Sequence, residues 1–176
     1  QSLIFMPIFG MNQGIMPILG YNYGAKKAKR FNKTFIYAMI FASSIMVIGL
    51  IMFQAIPYEL LGIQSLPHEV KVYGEVAFRT ISIGFLAAAF NIITSSLYQA
   101  IGHGTKSAAL NLLRQVFILI PLSLGIVLIF KNINLAWIAF PVAEWLSLLI
   151  FLPIFILTMK KINNEMNTVI TSENAE

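Results

Sequence analysis

One acid, Glu144, stands deep inside an apolar run, with Trp137, Pro141, Trp145 and Ser147 around it. A charge at the centre of a bilayer costs about 2.5–3.5 kcal/mol even on the gentler insertion scale. Two readings of Glu144 stay open: a proton- or cation-responsive carboxyl, or one held protonated or paired with a neighbouring span. Either needs a partner that the sequence does not identify. Further polar side chains recur at helical spacing. Gly84, Ala88, Asn91, Ser95 and Tyr98 form one stripe, with Thr94 and Gln99 beside it. Ser107, Asn111 and Gln115 share a second face with Arg114 adjacent, and Gln13, Pro17 and Tyr21 follow at i, i+4, i+8 in a third segment. Hydrogen bonding between helices, at about 0.6 kcal/mol each, explains any one of these. Three polar stripes together point to a shared, partly hydrated interior. Arg114, placed near the cytoplasmic end, reads first as a snorkelling anchor or an inter-span pair.

Enzyme chemistry finds no support. No second carboxyl within a span could share acid/base work with Glu144. His68 and His103 fall in loops, too few and too far apart for a metal site, and no cysteine is present. Ser95 and Ser96 have no His or Lys in reach by spacing. Gly102-x-Gly104 reads as a turn, because the Gly-Lys-Ser/Thr of a phosphate loop does not follow. The net charge of +5 would suggest nucleic acid on a soluble protein. Here the cations sit at span ends, so the expectation is topology and no nucleic acid.

The elements that must position these residues are membrane helices. Apolar residues make up 58% of the chain and charged ones 11%, against roughly 25% charged in an ordinary domain. The fold class is all-α, a polytopic bundle. Five spans can be drawn against the about 20 residues a crossing needs: Leu3–Tyr23, Thr34–Ile56, Val76–Ile101, Ala108–Phe130 and Leu135–Met159. Residues 1–161 form one partial lobe, and 162–176 a polar, frayed tail. Tyr58–Gln64 is expected as a short interfacial helix, and Glu75 with Arg79 as an exposed pair. The run Lys26, Lys27, Lys29, Arg30 and Lys33 marks the cytoplasmic side. That predicts a cytoplasmic C-terminus, and a multi-pass protein of the plasma (inner) membrane is the expectation. A chain opening on Gln1, already apolar by Leu3 and carrying an odd number of spans, reads as a piece of a longer protein. The first span holds Gly10, Gly14, Gly20, Gly24, Pro7 and Pro17. Close helix approach accounts for the glycines; a broken helix lining a cavity, bending at Gly14, Pro17 and Gly20, accounts for them equally.

The string from Gly10-Met11-Asn12-Gln13-Gly14 through Met16-Pro17-Ile18-Leu19-Gly20-Tyr21-Asn22-Tyr23-Gly24-Ala25-Lys26, followed by Arg30, resembles the eighth-helix signature of the multidrug and toxic compound extrusion (MATE) family. Tyr98-Gln99-Ala100-Ile101-Gly102-His103-Gly104 is similar to its tenth-helix end, Arg114-Gln115 with Pro121 to the pattern that follows, and Trp137 to Glu144 to its last helix. The resemblance implies a twelve-helix exporter of two six-helix lobes around a cavity, this chain being the second lobe without its first helix. It implies a secondary antiporter that exports cationic or amphipathic drugs in exchange for protons or sodium ions, with no other cofactor. Its partners would be the lipid bilayer, the substrate and the missing N-terminal lobe. Gln13, Tyr21, Asn91, Ser95, Gln115 and Glu144 would line the cavity. Members that bind the coupling cation in this lobe use acids in its first helix and in the tenth. Gly84 to Gln99 contains no acid, so the resemblance implies proton coupling through an Asp of the missing lobe. Two other readings share the membrane architecture. A flippase for lipid-linked sugars needs Arg or Lys at mid-span, which the spans do not offer. A non-transporting scaffold would spend every polar stripe on helix contacts.

Overall fold

The structure is a computed structural model that describes residues 2–62, 67–131 and 133–173. Helix α1 spans Ser2–Gly24 and α2 Ala28–Ala55; the short α3, Pro57–Gly62, and α4, His68–Ser82, lead into α5, Phe85–Ala100. Helix α6, Gly104–Leu112, passes through a π-helical stretch, Leu113–Leu119, into α7, Ile120–Phe130. A 3₁₀ turn, Ile133–Ile138, opens α8, which runs Ala139–Glu173. Among the described residues there is no strand. Three helical segments are long and apolar enough to cross a membrane: Ala28–Ala55, Gly104–Phe130 and Leu135–Met166. The bent pair α4–α5 makes a fourth. Helix α1 has 23 residues, a reach of about 35 Å at 1.5 Å per residue.

Helix α5 is the axis of the bundle, touching α1, α2, α6 and α8. Every residue from Asn91 to Tyr98 is buried. The core around it is apolar and aromatic. Phe53 stacks on Phe78 at 4.2 Å and Phe35 on Phe155 at 5.1 Å. The outer faces are apolar as well: Phe117 is 71% exposed and Leu128 75%. Such surfaces are stable in lipid, where tails solvate them and every backbone group is satisfied inside its own helix.

The third span departs from the continuous Val76–Ile101 helix expected. It begins at His68, and between Ser82 and Phe85 the chain turns by 59°. A break in a span strands carbonyls, and neighbouring side chains reach them. Gln54 Nε2 donates to the Arg79 carbonyl at 2.8 Å, and Trp145 Nε1 to that of Ile83 at 3.2 Å. Gly84 sits at the break because α8 crosses directly against it. A Cβ there would lie 2.9 Å from Pro141 Cα.

Helix α1, by contrast, runs unbroken through Pro7 and Pro17, so the broken backbone expected there is absent. Its glycines are mostly open. A Cβ on Gly10, Gly14 or Gly24 would meet nothing within 4 Å, and only Gly20 lies against a neighbour, 2.9 Å from the Ala100 carbonyl. Close approach within this chain therefore explains one of the four. The tail also differs from the frayed segment expected beyond residue 161. Helix α8 continues to Glu173, burying Ile162 and Met166 in the core cluster. Tyr58–Gln64 forms a helix over its described part, α3, while Ile63 and Gln64 lie outside the described residues. Glu75 and Arg79 pair at 3.0 Å, both partly exposed, an arrangement worth little.

The basic boundaries share one end of the bundle. Asn32 Nδ2 donates to Asn163 Oδ1 at 2.9 Å, tying the start of α2, next to the Lys26–Lys33 run, to α8 just past Lys160 and Lys161. The close approach of Gly20 to Ala100 brings the Gly102–Gly104 turn to the same end. Lys26 takes a left-handed φ of 54° in the α1–α2 turn, with its ammonium over the Tyr23 ring at 5.3 Å.

Candidate functional site

Helices α1, α5, α8 and the α6–π segment enclose a cleft of about 740 Å³. One wall comes from α1. Phe5, Phe9, Met6 and Met16 present soft, polarizable surface there, and Asn12 and Gln13 add two amides. Opposite stands a hydrogen-bonded polar wall. Ser95 and Ser107 hydroxyls lie 2.6 Å apart. Asn111 Nδ2 donates to Ser95 Oγ at 2.7 Å, and Gln99 Nε2 to Ser107 Oγ at 2.9 Å. This network joins α5 to α6 across the turn of Gly102, whose φ of +81° is a left-handed conformation that glycine adopts without strain.

The charged part of the cleft is an ion pair. Arg114 Nη1 donates to both carboxylate oxygens of Glu144, at 3.0 and 3.1 Å. Their side chains are 19% and 22% exposed, so the pair is sheltered without being sealed. Asn91 Nδ2 completes it, donating to Glu144 Oε2 at 2.8 Å and to the Glu144 backbone carbonyl at 3.1 Å. Both partners line the cleft. Of the two readings of Arg114, the structure shows the inter-span pair and not the snorkelling anchor: its guanidinium sits inside the cleft on Glu144, which is the paired reading of that carboxyl. One sequence expectation changes here. The spans therefore do offer a cation at depth, with its charge matched by a carboxylate.

Of the six side chains expected in the cavity, Gln13, Ser95, Gln115 and Glu144 line the cleft. Asn91 is 4% exposed and acts from behind, holding Glu144. Tyr21 stands elsewhere. It is 68% exposed near the basic end of α1, with Lys27 Nζ 5.7 Å above its ring, because eight residues of helix carry it roughly 12 Å beyond Gln13. Of the three bend positions, Gly14 and Pro17 are exposed on α1 and Gly20 packs on α5. Sequence reasoning passed over Asn12, which lines the cleft at 6% exposure with its Oδ1 unpartnered. An Asn-Gln pair inside an otherwise apolar helix was the available signal. The buried Nε of Arg114 and Oδ1 of Asn91 likewise have no partner.

The same fold occurs in solved transporters. A MATE crystal structure in complex with MaL6 superposes with a TM-score of 0.85 at 18% identity, over 93% of this chain and 37% of that one. An inward-facing multidrug resistance MATE family transporter of the MOP superfamily gives 0.81 at 18% identity, over 93% of this chain and 38% of that one. A MOP superfamily transporter from Pyrococcus furiosus gives 0.82 at 19% identity, over 92% of this chain and 36% of that one. This chain thus spans little more than a third of the length of these structures. No curated protein matches the sequence. The MatE family model matches residues 1–124, a stretch that carries α1, α2, α5 and the Arg114 wall of the cleft. The chain belongs to the MatE family.

Proposed function

We propose that this chain is the larger part of the second lobe of a secondary antiporter that exports cationic or amphipathic compounds. The observation that carries the reading is the two-faced cleft. Its Phe and Met wall adapts to varied apolar bodies, and its amide, hydroxyl and carboxylate wall supplies a few fixed polar contacts, the usual make-up of a small-molecule site. The Arg114–Glu144 pair leaves no net positive charge to hold a phosphate, which disfavours the lipid-linked sugar flippase. Protons or sodium ions would drive export, with the coupling acid in the missing lobe. The basic ends gathered on one side support an inner-membrane protein with Lys26–Lys33 and the C-terminus in the cytoplasm.

The test is dye efflux and drug resistance in a sensitised bacterial host expressing the full-length protein. Gln13→Ala and Glu144→Gln should each shift the range of compounds exported, with larger losses for cations in Glu144→Gln. Unchanged efflux of every compound in both variants would refute the assignment.

A further inference from the structure

We infer that Arg114 is a tethered stand-in for the cationic cargo, seated on Glu144 while the cleft is empty and displaced when a substrate cation arrives. This rests on the reading of the cleft as a cation exporter's cavity. The geometry of the pair carries it. An arginine built as a permanent strut grips a carboxylate with two nitrogens in parallel, the fork arrangement that adds both strength and direction. Arg114 instead straddles both oxygens of Glu144 with Nη1 alone, and its Nε is buried without a partner. The guanidinium is thus held by one nitrogen while paying the desolvation of another, a contact weaker than the side chain can make.

The carboxylate, in turn, is held by something other than the arginine. Asn91 donates to its Oε2 and to the backbone carbonyl of the same residue, so Glu144 keeps its position when the guanidinium leaves. Asn12 lines the cleft and is more than nine-tenths buried, and its Oδ1 has no partner, an acceptor that a small shift of the wall would offer to an incoming N–H donor. Among the described residues Glu144 is the one acid lining the cleft. A substrate ammonium or other organic cation therefore competes with Arg114 for a single carboxylate.

Displacement also has a mechanical consequence. The pair joins two segments, the π-helical stretch and α8. π turns inside α-helices concentrate at functional sites. Cargo that takes Glu144 unties Arg114 from α8 and frees that stretch to change its register.

Equilibrium binding of ethidium, a lipophilic monocation, to the purified full-length transporter tests this. Arg114→Gln removes the competitor and should tighten ethidium binding about tenfold. Adding Glu144→Gln should abolish that gain, and binding of the neutral dye Nile red should stay as in the wild type. Arg114→Gln binding ethidium equally or more weakly overturns the inference and makes the pair a strut. A second measurement needs no variant. Phenylglyoxal modification of Arg114 in the wild type, followed by mass spectrometry, should be faster with saturating ethidium, and an unchanged or slower rate overturns the idea. Failure of the wild type to export any cationic dye from cells would instead remove the exporter reading, while the comparison of purified proteins still decides the role of Arg114.

Discussion

Gly84→Ala is the smallest change that should reach the site through the backbone. The new Cβ would stand 2.9 Å from Pro141 Cα and 3.4 Å from Pro141 Cβ and the Ile81 carbonyl. Carbon atoms rest at about 3.5–4.0 Å, so α8 must retreat by roughly 0.6–1 Å, and the atom in the way is main chain that cannot rotate aside. Overpacking of this kind costs about 1–3 kcal/mol. Pro141 lies one turn before Glu144, whose contacts to Asn91 are 2.8 and 3.1 Å. A retreat of that size stretches them past hydrogen-bonding range. The full-length Gly84→Ala protein in detergent should therefore melt several degrees below wild type and export cationic dyes poorly. Gly125→Ala is the control, since a Cβ there meets nothing within 4 Å; its melting temperature should not fall. Gly84→Ala melting with the wild type, or Gly125→Ala falling as far, would refute the claim that α8 rests on the Gly84 backbone.

Two further substitutions separate conformational from hydrogen-bond contributions. Gly102→Ala places a side chain at φ +81° in open space, so strain alone should cost about 1–2 kcal/mol; Gly104→Ala, also in open space but without the positive φ, should melt like the wild type. Tyr98→Phe removes a fully buried hydroxyl that donates to Thr158 Oγ1 at 3.1 Å. Thr158 keeps its own bond to the Ile154 carbonyl, so the loss should stay near about 0.5–1.5 kcal/mol, read as a small fall in melting temperature with efflux retained; a collapse of folding would show that the hydroxyl does more than bridge α5 and α8.

What could be read from the chain was periodic. Asn91, Ser95 and Tyr98 share a stripe because helical spacing puts them on one side, and the fold buries that stripe at the centre of the bundle. Ile162 and Met166, one turn apart, were a signal that α8 outlasts its apolar run, and the polar residues between them masked it. The break before α5 was not legible. Gly84 matches the small-residue pattern of a smooth helix crossing as well as it matches a bend. What stabilises the bend is Gln54 and Trp145, reaching carbonyls 25 and 62 positions away in sequence. The partnership of Arg114 with Glu144 spans 30 positions, and no local pattern encodes which residue a long side chain reaches. The π-helical stretch has a local cause that sequence rules state only after the fact. Pro121 lacks an N–H and crowds the preceding turn, and the wider turns before it relieve that crowding.

The distribution of satisfied and unsatisfied groups then says where in the cleft binding energy can come from. Ser95, Ser107, Asn111 and Gln99 bond to one another, so a ligand that needed either serine hydroxyl would compete with an existing bond, while the amide oxygens of Asn111 and Gln99 stay available as acceptors on the cleft wall. Gln13 and Gln115 add further amides to the lining, whereas Asn12 Oδ1, Asn91 Oδ1 and Arg114 Nε lack partners but are buried and become available only when the side chains around them move. A ligand thus gains polar free energy at the free amide oxygens and at Glu144, and apolar free energy along Phe5, Phe9 and Met16, which ask only for bulk and not for shape. One charge-selective contact beside a permissive wall is the arrangement that admits many molecules while still sorting them by charge. The serine-amide network ties α5 to α6 and, in the exporter proposed above, would hold that wall in place while leaving its free amide oxygens to the ligand.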